Sequence, residues 1–263
     1  CNDTDKTINP GATEVWYDGV DQNCDRKSDY DQDGDGYDSD SYSGTDCNDI
    51  DSAINPGEIE VWYDGIDKDC DGKSDYDKDG DGEDSDLFSG TDCDDNRKTV
   101  NSAATEIRDG LDNDCDLYCD EGLLAAGDLV ITEFLKDPSK SSDTYGEWFE
   151  VYNTTTTDIT LCEGWTIEDD GTNTFDVLDD TLVPAGGYAV LGRNDDTTLN
   201  GGVLVDYEYG TGFALGNNDD EIVIYYNDPV DGLYEMSRVD YLDSPTWPDT
   251  AGKSISLDPD FYS

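Results

Sequence analysis

Between Asp29 and Asp40 the chain reads DYDQDGDGYDSD. Carboxylates alternate at Asp29, Asp31 and Asp33, Gly34 follows, Asp35 comes next, and Asp40 closes a window of twelve. Alternation at every second residue lets short side chains converge on one point, and glycine permits the sharp turn that such a wrap needs. Two like charges about 4 Å apart repel by roughly 4 kcal/mol at an effective dielectric near 20. Such a crowd of carboxylates calls for a cation. The stretch returns at Asp75, Asp77, Asp79, Asp81 and Asp86 as DYDKDGDGEDSD.

Two further oxygen-rich clusters accompany it. Asp3 and Asp5 precede Glu14 in a window of twelve, and Asp49, Asp51 and Glu60 repeat that spacing. A glutamate at the twelfth place is where a bidentate ligand sits in an EF-hand loop. In a third copy Asp95 and Glu106 keep the window but Arg97 replaces the second aspartate, which predicts a weakened or missing site. The other cluster, DGxDxxCD, supplies Asp21, Asn23 and Asp25, then Asp67, Asp69 and Asp71, then Asp112, Asp114 and Asp116. All these donors are hard oxygens. They select Ca²⁺ over zinc or copper, which prefer histidine nitrogen and cysteine sulfur.

These clusters are positioned by a repeat. Cys1, Cys47 and Cys93 recur every 46 residues. The third copy lacks the DxDxDGDG loop, as a terminal capping repeat does. Its predicted bounds are 93–119, after repeats at 1–46 and 47–92. Each repeat carries few apolar residues, such as Val15, Trp16, Tyr17 and Val20 with their copies Val61, Trp62, Tyr63 and Ile66. Calcium and disulfides must supply the cross-links that a small core lacks. The Trp-Tyr pairs are expected to pack on the calcium loops.

Composition agrees. The net charge is −53 and there is no histidine. That charge argues against nucleic acid and anionic membranes as partners. Eight regularly spaced cysteines point to disulfides and an oxidising compartment. The third repeat keeps both its cysteines without the loop, so pairing within repeats is expected: Cys1–Cys24, Cys47–Cys70 and Cys93–Cys115. Cys119–Cys162 is then left to tie the linker, 120–126, to the C-terminal half of the chain. No signal peptide or membrane span is visible, and both ends read as cut from a longer protein.

The phrase DCNDIDSAINPGEIEVWYDGIDKDCDG, from Asp46, closely resembles the MopE-type metal-binding repeat of bacterial secreted surface proteins. The DGDG loops are similar to those of thrombospondin type 3 repeats and dockerins. The resemblance covers about residues 1–116 and implies calcium-stapled, secreted modules with little regular secondary structure. The copper binding linked to the namesake family does not carry over to a chain without histidine.

Beyond Cys119 come runs of strand type: DLVITEF, GEWFEVYN, DITLCEGWTIED, GYAVLG, DEIVIYYN and MSRVDYL. They are β-branched and aromatic, bounded by Gly, Asn, Asp and Pro, and spaced as in a sandwich. Their order resembles the lamin tail domain, an immunoglobulin-like β-sandwich. The resemblance rests on Ile131–Glu133, Glu147–Asn153, Leu161 with Gly164-Trp165, Pro184–Tyr188, Asp219–Ile224, Val239-Asp240 and Ser254–Leu257. It implies a binding or scaffolding module over 127–263, with Trp148, Trp165 and Tyr188 in the core. Glu147 and Glu150 could be read as a glycosidase pair, but they flank that family's core strand and are read as structural. Asn2 and Asn153 fit the N-glycan acceptor pattern, and Thr154–Thr157 could carry O-linked sugar.

The fold class expected is therefore mainly β: calcium- and disulfide-stapled irregular repeats followed by an immunoglobulin-like β-sandwich. The function expected is that of a secreted or cell-surface calcium-binding structural protein, such as a stalk, adhesin or filament subunit. Its partners would be copies of itself or components of the cell surface or extracellular matrix, with no nucleic acid and no membrane insertion. No Ser/His/Asp set, Cys/His pair, phosphate loop or zinc motif is present, so no enzyme is expected. The alternative is a non-catalytic accessory region of a larger secreted hydrolase.

Overall fold

A computed structural model describes residues 2, 4–169, 173–242 and 250–257. It divides into two compact units, Cys1–Asn101 and Ser102–Ser263.

The first unit is built from turns. Its regular structure is two short 3-10 turns, Asp40–Tyr42 and Asp86–Phe88, and the isolated bridges Ser39↔Asp46 and Ser85↔Asp92. Among its described residues, Ile54 and Val100 are the buried apolar side chains. Aromatic rings pair beside the loops instead: Tyr17 stacks on Tyr42 at 4.6 Å and Tyr63 on Phe88 at 4.9 Å, with Tyr30 and Tyr76 tilted against the same rings. The Cys47–Cys70 disulfide forms as expected. Cys24, Cys93 and Cys115 are also disulfide-bonded. Cys1, the expected partner of Cys24, lies outside the described residues, as does Asp3.

The second unit is a β-sandwich, so the chain is mainly β. One sheet has the order β11-β1-β2-β7-β8: β1 is Leu129–Leu135, β2 Trp148–Asn153, β7 Tyr188–Gly192, β8 Tyr207–Glu208 and β11 Ile255–Ser256. The other, β10-β9-β4-β5, comprises β4 Trp165–Glu168, β5 Thr174–Asp176, β9 Asp220–Asp228 and β10 Gly232–Tyr241. β3 Ile159–Leu161 and β6 Thr181–Val183 form a small third sheet. Strand alternation sorts side chains between core and solvent. In β2 the inward set is Phe149, Val151 and Asn153. Phe149 and Val151 join Phe134, Trp165, Ile167, Leu191, Phe213 and Tyr226 in one core.

That alternation corrects two expectations. Trp165 is fully buried, but Trp148 falls on the outer face of β2, and Tyr188 is 56% exposed. Tyr188 pairs with outward-facing Tyr152 across the β2–β7 register, ring centroids 4.7 Å apart. The sandwich also consumes the Asn153 acceptor site. Asn153 is fully buried, its amide donating to Thr157 O at 2.8 Å and Val183 O at 3.0 Å. A glycan has no room there.

Cys119 and Cys162 are a further correction. They are free thiols, both buried in the core, with Cys119 hydrogen-bonded to Cys162. That contact and burial raise the Cys119 pKa well above an ordinary thiol, suppressing the thiolate that disulfide exchange requires.

Glu147 and Glu150 have different surroundings. Glu150 lies in β2 with Thr132 Oγ1 donating to it at 2.7 Å, while Glu147 is turned inward. Glu147 Oε2 accepts from Arg193 Nη1 at 3.0 Å and from Leu215 N at 3.0 Å. Burial pushes the Glu147 carboxyl up to about 7, against the pull of the Leu215 N–H and the Arg193 charge.

The ion pair and the buried thiols can each be tested. Breaking a buried ion pair by removing one partner costs roughly 3–5 kcal/mol. Arg193→Met should lower the urea-unfolding free energy of the sandwich by about that much at pH 8, and by less below pH 7, where Glu147 can take up a proton. The thiols of Cys119 and Cys162 should resist a thiol reagent in the native protein and react once it is unfolded in guanidinium. Mass spectrometry of the labelled peptides reads this directly.

Candidate metal centres

The first kind of centre is built on the DxDxDG loop. Asp31 accepts from Gly34 N at 2.8 Å through Oδ1 and from Gly36 N at 3.2 Å through Oδ2. Gly36 has φ +102°, a conformation side-chain-bearing residues rarely adopt. Asp33 Oδ1 takes the N–H of Asp35 at 3.2 Å, and Asp35 Oδ1 takes that of Tyr37 at 2.9 Å. Backbone N–H groups thus hold both oxygens of Asp31 and one each of Asp33 and Asp35, while Oδ2 of Asp33 and of Asp35 is buried with no hydrogen-bond partner.

The residue that completes the loop stands directly before the cysteine that opens the next repeat. The chain turns through Asp40–Tyr42, and the bridge Ser39↔Asp46, with Asp40 N donating to Asp46 O at 2.8 Å, brings it back. Asp46 is fully buried. Its Oδ1 accepts from Asn48 N at 2.8 Å, and its Oδ2 has no partner. Carboxylate oxygens of Asp33, Asp35 and Asp46 lie within 4.8 Å of one another, as do those of Asp31, Asp33 and Asp49. Asp49 is fixed from two sides, by Gln32 N at 3.0 Å and Tyr17 Oη at 2.7 Å. The Trp-Tyr tyrosine therefore packs on the loop as expected.

The second copy is built alike. Asp77, Asp79 and Asp81 converge within 4.8 Å, Asp92 is fully buried with a partnerless Oδ2, and Asp95 accepts from Lys78 N and Tyr63 Oη, each at 2.8 Å.

The carboxylates that converge lie in a different register from the window of twelve. The loop begins two residues later, at Asp31 and Asp77, so that Gly36 and Gly82 take the sixth place, where an EF-hand loop has its glycine. Asp40 and Asp86, expected at the twelfth place, are exposed and open the 3-10 turns. Asp29 and Asp75 accept through Oδ2 from Gly19 N at 2.5 Å and Gly65 N at 2.6 Å, and their Oδ1 atoms are buried without a hydrogen-bond partner. Asp46 and Asp92 lie outside the sequence windows, although the Thr-Asp before Cys47 recurs before Cys93.

The second kind of centre merges halves of the two remaining clusters. Glu60, Asp67 and Asp69 converge within 4.8 Å. Glu60 Oε2 accepts from Lys68 N at 2.9 Å, and Asp67 accepts from Asp71 N and Gly72 N. Glu14 grips Gln22 N and Asn23 N, while Asp21 and Asn23 both accept from Asp25 N. In the third repeat Glu106 takes Asn113 N and Asp114 N, and Asp112 takes Asp116 N and Leu117 N. Glu106 thus keeps its place although Arg97 replaces an aspartate upstream. Asp5 and Asp51 are exposed and cap Thr7 and Ala53 locally. Asp25, Asp71 and Asp116 are exposed at the rim, with Asp71 paired to Lys73 at 2.5 Å.

Burial, followed by neighbouring carboxylates, raises the pKa of Asp33, Asp46 and Asp79, and lifts Asp92 to about 6. Burial lifts Glu106 to about 7 and, before the Asp49 and Asp95 contacts, moves Tyr17 and Tyr63 to about 12. The partnerless inner oxygens and this mutual repulsion fit a bound cation.

Comparison with known families agrees with this division. The family described as "Putative metal-binding motif" (Cu-binding MopE) matches residues 1–29, 46–76 and 92–121, and the Lamin Tail Domain matches 124–242. No curated protein matches the chain. The DGDG loops fall between the matched segments, each completed by an aspartate of the segment after it. The chain therefore carries three copies of the MopE-type metal-binding motif followed by a lamin tail domain, an immunoglobulin-like fold.

Proposed function

We propose that this chain is a secreted structural protein in which calcium ions rivet successive repeats together. The observation that carries the reading is the pair Asp46 and Asp92. Each is fully buried, each presents a partnerless oxygen, and Asp46 meets the loop before it within 4.8 Å, as does Asp49 of the next repeat. An ionised carboxylate in that position is very costly unless a cation meets it. The donors are oxygens throughout and the chain has no histidine, which favours calcium over copper or zinc. The magnesium ion demands a tighter octahedron than such flexible, many-carboxylate loops provide.

The disulfides support an extracellular setting, where calcium is millimolar and modules bind it with Kd of roughly 10⁻⁴ to 10⁻³ M. The first unit has so few buried apolar side chains that the ions would supply much of its cohesion. The reading is of a spacer or scaffold, with the lamin tail domain contacting other copies or surface components. Catalysis has no part in it.

Two experiments test it. In isothermal titration of the full chain with calcium, Asp46→Asn and Asp92→Asn should each weaken one loop by tenfold or more, about 1.4 kcal/mol. Asp40→Asn and Asp86→Asn should leave the isotherm unchanged. The reverse pattern would return the ligand to the twelfth place of the sequence window.

The second concerns pH. These carboxyls have raised folded-state pKa values, so the metal-free fold holds their protons more tightly than the unfolded chain does. Stability conferred at low pH is then lost as pH rises from about 4 through about 6. With chelator, the first unit should melt lower at pH 7.5 than at pH 5; with excess calcium that difference should shrink or invert. Equal melting in chelator and in calcium at pH 7.5 would remove calcium as the rivet.

A further inference from the structure

The third repeat has no DGDG loop, yet its second half, from Ser102, belongs to the same compact unit as the lamin tail domain. Glu106 organises this segment. Its Oε1 holds the turn at Asn113 and Asp114, and its Oε2 accepts from Asp120 N at 2.9 Å. Residues 120–121 are thereby drawn onto the Asp112–Asp116 turn.

The side chain delivered there differs from the earlier repeats. Counting six residues from the second cysteine of each repeat gives Tyr30, Tyr76 and Glu121. The tyrosines lean on Tyr42 and Phe88. Glu121 is only 8% exposed, and its Oε2 is buried without a hydrogen-bond partner. The charges acting on it, Glu106, Asp116 and Asp114, are all negative, and Asp114 Oδ1 is likewise partnerless. An acidic side chain has replaced an aromatic one and is buried among carboxylates.

The segment is also bonded into the sandwich. Gly122 N donates to Asp228 Oδ2 at 2.6 Å, Tyr226 Oη donates to Cys119 O at 3.3 Å, and Thr160 Oγ1 donates to Gly110 O at 2.5 Å. Cys119 and Leu124 enter the hydrophobic core.

We propose that Glu106, Asp114 and Glu121 form a calcium site built into the lamin tail unit itself, with Glu121 as the ligand peculiar to the third repeat. The ion would tie residues 106–121 to the end of β9, so calcium would stabilise this unit as well as the repeats before it. This rests on the calcium reading of the repeats.

Hydrogen exchange of the full chain, read by peptide mass spectrometry with calcium or with chelator, tests it. Calcium should slow exchange across 106–122 and the end of β9 by about tenfold or more. Glu121→Gln should abolish that slowing while leaving calcium protection of 31–49 and 77–95 intact, and Asp114→Asn should do the same, guarding against a variant that fails to fold. Protection of 31–49 and 77–95 with none at 106–122 would overturn this site alone, as would a wild-type response in both variants. Protection in none of these segments would instead overturn the calcium reading, and this site with it.

Discussion

The repulsion among buried carboxylates governs this molecule. Asp31, Asp33, Asp35, Asp46 and Asp49 are held in place by backbone N–H groups that grip their outer oxygens. The inner oxygens of Asp33, Asp35 and Asp46 are left facing one another without partners. The fold spends its hydrogen bonds on preorganising a charge cluster that it cannot neutralise from its own side chains. Preorganisation lowers the ordering cost at the moment a cation arrives. It also makes the metal-free state a strained one, as the raised carboxyl pKa values record.

The two units meet the entropy of folding in different ways. The sandwich buries a continuous core around Phe134, Phe149, Trp165 and Tyr226 and needs no cross-link. The repeat unit buries few apolar groups and relies on disulfides, stacked tyrosines and carboxylate loops. This is the usual resort of chains too irregular to close a core. Residues 102–121 belong by sequence to the repeats and by packing to the sandwich.

Much of this was legible in the sequence because it is local. A 46-residue period, oxygen-only donors and alternating strand residues pointed to the repeats, the metal class and the sandwich. What escaped was non-local or hinged on register. Asp46 lies beyond the window of twelve and reaches the loop only because a 3-10 turn and a one-residue bridge fold the chain back. Asp49 and Glu60 share a window in sequence, yet Asp49 turns to the previous loop and Glu60 to the following turn. A spacing rule cannot show that two ends of one motif face opposite ways. Tyr188 was misplaced because a strand's inward face depends on its partner, and it lies opposite outward-facing Tyr152. The two thiols lie side by side as expected, but proximity alone did not specify their redox state.

Completion of each loop by the following repeat makes the array directional. In the calcium reading proposed above, a loop is half a site, and the aspartates beside the next cysteine are the other half. The third repeat lacks such a loop but has Asp95, with Asp92 directly before its first cysteine, and Asp95 accepts from Lys78 N of the loop before it. As with fence panels and posts, a run of loops needs one more repeat than it has loops. An insertion or deletion of one full period leaves every half-site matched, whereas a cut at any other length strands two halves at once. Such an array can lengthen or shorten by recombination only in whole steps.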